Sequence, residues 1–264
     1  MSPAATGDGP GRFDQLRREV ADACRVLAAR DLAPGILGHI SVRVGEGQLL
    51  IRCRGPRERG LAFTEPGDIK LLDFADGGRA ELEGGYRAPN ELPIHVETLR
   101  TRPEAAAVVH AHPESVVAAD LAGIRLRPIV GAYDIPGARL AAGGIPIYPR
   151  GVLIRNTGLA AEMLAAMGDR PVVLLRGHGL TSTGDTIAQA VLRGLSVDTL
   201  ARIALTVVGA GGTLVDLPKA DLDELPDLGS SLNEGTAWRH ELARLSRLTR
   251  LGGDRGTTPV LSGP

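Results

Sequence analysis

Cysteine is scarce in this chain: two, Cys24 and Cys53, among 264 residues, and no C-x-x-C spacing. That excludes a disulfide-framed fold and points to a reducing compartment. An excess of one charge is also missing. Lys+Arg 30 stand against Asp+Glu 31, a formal charge of -1, so no strong field draws nucleic acid or an anionic membrane. No apolar run approaches the length of a membrane span. The first dozen residues, rich in Gly, Pro, Ala and Ser, hold no apolar signal segment. There is no internal repeat and no phosphate-binding loop, since Gly209-Ala-Gly-Gly-Thr213 follows a helical pattern instead of opening one. These absences leave a cytoplasmic protein with no nucleic-acid or membrane partner, long enough for one large domain with a sizeable core.

What is present is a loose alternation of helix and strand patterns, which predicts an α/β domain over residues 12–217. Residues 1–11 read as a disordered N-terminus, and 218–264 as a C-terminal extension with a helix over about 232–248 carrying Trp238. Phe13, Leu16, Val20, Cys24 and Leu27 recur at helical spacing and predict a helix over about 13–30. Gly35 and Gly38 mark a turn into a strand with Ile40 and Val42, and 48–54 is the return strand of a hairpin. Residues 61–64 and 69–74 read as strands around a Glu65–Asp68 turn, and Asp76-Gly77-Gly78 as a hairpin turn. Asn90 is the expected N-cap of a helix with Pro93 in its first turn. Further helices are expected over about 114–121, 158–167 and 186–208, with a buried strand over 172–175; the stretch to Arg155 reads as strands and loops.

The chemistry gathers around Val108-Val109-His110-Ala111-His112-Pro113. Alternate side chains of a strand share a face, so His110 and His112 point the same way. Two imidazoles at the open end of a strand suit a divalent metal, although an isolated H-x-H pair is also compatible with a core and a rim histidine. Gly177-His178-Gly179 ends the 172–175 strand and lifts one more imidazole off its end, a plausible third ligand. Glu91, at a helix start, is either a favourable charge there or a catalytic carboxylate or metal ligand. His39 is either a site residue or an ordinary strand residue. Arg52, Arg54, Arg57 and Arg59 fall within eight residues. They form either a solvated loop or a clamp whose planar guanidinium forks match a carboxylate.

With these pieces in order, the chain resembles the class II aldolase/adducin family over roughly residues 13–217. The resemblance rests on Gly38-His39-Ile40-Ser41, Thr64-x-x-Gly67-Asp68, Asn90-Glu91-Leu92-Pro93-x-His95, Arg102-Pro103 leading to His110-Ala111-His112, and His178-Gly179-Leu180-x-x-x-Gly184. It implies a three-layer α/β/α fold around a mostly antiparallel sheet, and a homotetramer. It also implies that His110, His112 and His178 hold a divalent metal ion (Mn, Zn, Fe or Co) with no organic cofactor, and that Glu91 is the acid/base.

The departures speak to substrate. Sugar-phosphate aldolases of the family carry Gly-Asn, Thr-Pro-Ser/Thr-Gly and Ser-Ser where this chain has Gly38-His39, Thr64-Glu65-Pro66-Gly67 and Pro89-Asn90. The small hydroxyl donors for phosphate are gone, and the arginine run has appeared. This is similar to the branch that decarboxylates hydroxylated aromatic acids. The implied function is metal-dependent decarboxylation of a dihydroxylated phthalate, with His39, Tyr133 and the four arginines on the substrate. An aldolase or epimerase acting on an unphosphorylated substrate is the alternative. A non-catalytic, adducin-like interaction protein is the third reading, against which the three histidines and the glutamate argue.

Overall fold

The computed structural model describes residue 11, residues 13–75 and residues 82–253. Seven strands form one sheet: β1 (His39–Gly45), β2 (Gln48–Arg52), β3 (Ile69–Asp73), β4 (Ala107–Ala111), β5 (Ile147–Tyr148), β6 (Val172–Leu175) and β7 (Gly179–Gly184). Their order is β3-β2-β1-β4-β7-β6-β5, and every neighbouring pair is antiparallel except β5 and β6.

Strand alternation makes two cores. Ile40, Val42, Val109, Ala111, Val172 and Leu174 pack on one face, against α1 (Asp14–Ala29), α3 (Glu114–Leu121) and the long α6 (Ile187–Gly209). Leu49, Ile51, Val108, Val173 and Leu175 pack on the other, against α2 (Leu92–Thr101) and α5 (Thr157–Met167). The result is the three-layer α/β/α arrangement with a largely antiparallel sheet. Each fully buried leucine or isoleucine in these layers stabilises the fold by about 1.5–3 kcal/mol. The alternation also sends the polar residues of the central strands to one side. His39, Ser41 and His110 lie between apolar neighbours that face α1 and α6, so all three turn toward α2.

The C-terminal extension consists of α7 (Lys219–Glu224), a π-helical turn (Ser231–Thr236) and α8 (Ala237–Gly253). Trp238, Leu242 and Leu245 dock on the core, and the Arg30 guanidinium meets the buried Glu241 carboxylate at 2.6 Å. No helix among the described residues is long and apolar enough to cross a membrane.

Several local expectations are corrected. Residues 61–63 form a 3-10 turn instead of a strand: only Leu61 is buried, while Phe63 is 55 % exposed, so a single apolar anchor faces α1. The N-cap of α2 is Glu91, not Asn90, and its side chain is drawn away from the capping position. The stretch before Arg155 contains a helix, α4 (Ile135–Ala141), started by the Asp134 carboxylate accepting from the Gly137 N–H at 3.0 Å. β7 was not anticipated, because its buried side chains include Thr181, Ser182 and Thr183. The 76–78 turn and, apart from residue 11, the N-terminal stretch expected to be disordered lie outside the described residues.

Candidate metal centre

Three elements converge at the end of β4. The strand itself delivers His110, fully buried, and His112 follows one residue past its last ladder position. The His112 backbone N–H donates to the Leu32 carbonyl at 2.8 Å, which fixes the exit of the strand. The β6–β7 connection delivers His178. Gly177 on one side has φ 58, and Gly179 on the other lies so close to β4 that a Cβ there would meet the Ala111 carbonyl oxygen at 2.2 Å. Only glycine lets the hairpin press His178 against the H-x-H pair. The buried Asp120 carboxylate accepts from the Gly177 N–H at 2.7 Å and faces the Arg176 Nε at 3.4 Å, so α3 holds this turn in place.

The helix α2 delivers Glu91. Its Oε1 accepts from the Ile154 backbone N–H at 2.9 Å, leaving Oε2 at 3.2 Å from His110 Nε2 and 3.6 Å from His178 Nε2. The three imidazoles lie 4.6–5.0 Å apart, centroid to centroid. One ligand atom from each of Glu91, His110, His112 and His178 falls within 4.8 Å of the others.

The electrostatics suit a cation. Burial first, then repulsion from His110 and from His178, push His112 down to about 3, and burial likewise lowers His178. These rings are therefore neutral and offer lone pairs. Burial alone would raise the Glu91 carboxyl; the nearby His110 and His178 rings and the Ile154 N–H outweigh it and hold the group at about 2. His110 Nε2 is buried without a hydrogen-bond partner, a costly state for a polar nitrogen unless something else occupies its lone pair. Neutral imidazoles, one carboxylate and an orphaned nitrogen gathered within 4.8 Å of one another fit a divalent metal ion. His110 Nδ1 lies 3.3 Å from Thr181 Oγ1, and a ring N–H of His112 points to the His178 backbone carbonyl, contacts that orient the ligands.

The candidate substrate residues are placed unevenly. His39 sits directly opposite His110 in the β1–β4 ladder, its ring stacked at 4.9 Å. Burial first, then the charges of His95, His110 and His112, hold the His39 pKa well down, and the Arg54 charge adds to them. The other three arginines line a cavity of about 500 Å³ together with Glu58, Glu65, Asp68 and Tyr86. Within it, buried Arg52 is ion-paired with Glu58, and the Arg59 guanidinium lies 5.1 Å from the Phe63 ring centre, while Arg57 is exposed. Tyr133, 78 % exposed, lines a separate groove of about 910 Å³ between α6 and the C-terminal extension.

Residue reading passed over His95. It is fully buried on α2, four residues after Glu91 and so on the same helical face, with both ring nitrogens engaged: Nε2 at 2.7 Å from His39 Nδ1 and Nδ1 at 2.6 Å from Ser41 Oγ. The i, i+4 spacing to Glu91 was the available signal. Asp120, Ile154 and Thr181 carried none, because their parts depend on tertiary contacts.

Comparison with known proteins agrees with this geometry. The chain is 70 % identical over 87 % of its length to the 3,4-dihydroxyphthalate decarboxylase of Arthrobacter keyseri, covering 94 % of that protein. It is 64 % identical to the decarboxylase of the same name from Terrabacter sp., over 89 % of this chain and 99 % of that one. Among solved structures, an aldolase II superfamily protein from Pseudomonas syringae superposes with a TM-score of 0.73 at 20 % identity, over 90 % of this chain and 94 % of that one, a likeness of fold. The family profile described as Class II Aldolase and Adducin N-terminal domain matches residues 18–205. The chain therefore belongs to the class II aldolase and adducin family.

Proposed function

We propose that this chain is a metal-dependent carboxy-lyase of aromatic catabolism that converts 3,4-dihydroxyphthalate to 3,4-dihydroxybenzoate. The observation that carries the reading is the high identity to decarboxylases of that name, kept along nearly their whole length. The intact Glu91–His110–His112–His178 cluster supplies the chemistry such a reaction needs.

The reaction breaks the bond between the ring and the carboxylate beside a hydroxyl. CO₂ leaves, and the electron pair stays on the ring carbon, which gains a proton. His110, His112 and His178 would hold a divalent ion, which would supply Lewis acidity to the substrate. Glu91 manages the proton. Its Oε1 is anchored on the Ile154 N–H, so Oε2 alone is free to move a proton. Anionic when substrate enters, it relays the proton of the ring hydroxyl to the vacated ring carbon, and a solvent proton restores the hydroxyl, so one proton is consumed for each CO₂ released. Arg54, on the His39 side, holds the carboxylate that stays and so determines which one is lost. Arg52, Arg57 and Arg59 shape the neighbouring cavity and steer the dianion toward it. Tyr133 is kept on the substrate on the family resemblance alone, since it lines a separate groove. The reading includes a homotetramer and a cytoplasmic location, on the family resemblance and the unpaired cysteines.

The test is metal-loaded protein incubated with 3,4-dihydroxyphthalate and, separately, with ketose phosphates, following CO₂ and aldehyde. CO₂ from the aromatic acid, with deuterium at the vacated carbon in D₂O, supports the reading. Aldehyde from the ketose phosphates with no CO₂ would replace it with an aldolase.

A further inference from the structure

His39, His95 and Ser41 form a chain of hydrogen bonds with a direction. The three are buried side by side between β1 and α2. His39 Nδ1 and His95 Nε2 are 2.7 Å apart, so one proton sits between them; His95 Nδ1 and Ser41 Oγ are 2.6 Å apart, so another sits there. Two arrangements satisfy both contacts. In one, Ser41 donates to His95 Nδ1, His95 Nε2–H donates to His39 Nδ1, and His39 carries its own proton on Nε2. In the other, every bond is reversed, and the Ser41 hydroxyl hydrogen must find a different acceptor. Ser41 is fully buried, and its Oγ has no second partner among the described residues. A buried hydroxyl hydrogen without an acceptor is disfavoured, whereas a hydroxyl oxygen that accepts nothing is tolerated more readily. The first arrangement therefore prevails.

The consequence falls on His39. Its ring retains 5 % exposure, it stacks on the ligand His110, and Nε2 is the one nitrogen that the protein leaves free. We infer that His95 is a positioning residue: with Ser41 it locks His39 in the Nε2–H tautomer, making His39 a hydrogen-bond donor, not a base, for the carboxylate that the substrate keeps. Placing Glu91 and His95 on one face of α2 ties the proton-transferring end of the site to the end that holds the substrate. The carboxylate part of this inference rests on the decarboxylase reading; the tautomer does not.

The tautomer can be read directly. In the zinc-loaded protein with ¹⁵N-labelled histidine, the His39 resonances are assigned by their loss in His39→Gln. The expected spectrum has the proton on Nε2; a proton on Nδ1 overturns the inference. Kinetics form the second arm. His95→Phe removes the donor to His39 Nδ1, and KM for 3,4-dihydroxyphthalate should rise about tenfold with kcat little changed. His95→Gln, whose amide N–H can replace the imidazole donor, should restore KM. For 2,3-dihydroxybenzoate, which lacks the retained carboxylate, His95→Phe should leave KM unchanged. An equal loss on both substrates, or no loss on either, refutes the carboxylate role. Metal content and thermal midpoint are measured alongside; if His95→Phe does not fold, the wild-type spectrum and His95→Gln decide. Wild-type protein that releases no CO₂ overturns the decarboxylase reading and the carboxylate role together, while the spectrum still decides the tautomer.

Discussion

The buried His95 makes stability depend on pH in a calculable way. Burial, reinforced by the charge of His110 and only partly offset by Glu91, lowers its pKa from 6.5 to about 3. In the unfolded chain the same ring titrates near 6.5. Between those values the unfolded state holds a proton that the native state does not, so acid favours unfolding. The contribution is complete above about pH 6.5 and is lost as pH falls toward the folded value, at roughly 1.36 kcal/mol per pH unit. At pH 5 the loss is roughly 1.5 units, or about 2 kcal/mol from this one side chain. Because domain stabilities are typically about 5–15 kcal/mol, that loss is measurable. His39, His112 and His178 shift in the same direction and steepen the total, so the assay has to isolate His95. Urea unfolding of metal-free protein, followed by far-ultraviolet circular dichroism between pH 7.5 and pH 5, should be compared with His95→Gln. Glutamine keeps a donor to His39 but cannot titrate. The wild type should lose about 2 kcal/mol more than the variant over that range. Equal pH slopes in the two proteins would mean that His95 is protonated in the native state, and the reasoning from its burial would be wrong.

Other outcomes follow from the same geometry. His110→Ala, His112→Ala and His178→Ala should each lose the divalent ion, and full occupancy in all three by elemental analysis would remove the cluster from consideration. Glu91→Gln should keep the fold and most of the metal but lower kcat by roughly 10²-fold; wild-type turnover would return Glu91 to a helix-end charge. Arg54→Lys should raise KM for the dicarboxylate, because an ammonium cannot reproduce the guanidinium fork, and unchanged kinetics would free Arg54 of that role. Asp120→Asn should weaken metal affinity by about tenfold in a chelator competition, since the Gly177 turn that carries His178 loses its anionic acceptor; unchanged affinity would make Asp120 structural only.

Where hydrophobic periodicity carried the information, the sequence was legible. The α3 and β6 spans fall where apolar spacing placed them, and strand alternation correctly put His110 and His112 on one side. Periodicity failed where the buried residues are polar. β7 buries hydroxyls whose partners are distant in sequence: Ser182 Oγ donates to the Ala190 carbonyl at 2.7 Å and Thr183 Oγ1 to the Pro171 carbonyl at 3.1 Å. No local pattern announces such a strand. α4 was hidden by Gly137 and Pro136, although Asp134 three residues before Gly137 is a serviceable capping signal. The arginine run shows the limit most clearly. Four guanidiniums were visible, but which of them Glu58 neutralises depends on how the loop folds back, and this places Arg52 in an ion pair and leaves Arg54 toward the histidines.

The loop that follows those arginines bears on substrate choice. Glu65 and Asp68 cap each other across the 3-10 turn Pro66–Asp68, with the Glu65 backbone N–H donating to the Asp68 carboxylate at 2.8 Å. Tyr86 adds its hydroxyl to Asp68 at 3.1 Å, and the Lys70 ammonium lies 3.7 Å from the Tyr86 ring centre. A backbone N–H and a hydroxyl that could have met a phosphate are thus committed to a carboxylate, and Glu65 and Asp68 flank Pro66, which stands where the aldolases carry a small hydroxyl donor. A phosphate dianion approaching this wall meets repulsion that the nearby arginines must first offset. A planar carboxylate asks less of the site: one guanidinium fork and one neutral donor satisfy it. Arg54, whose charge reaches His39, and His39 itself are the proposed pair. On the proposed reading, the capped acidic turn disfavours phosphorylated substrates while the arginine favours a carboxylate.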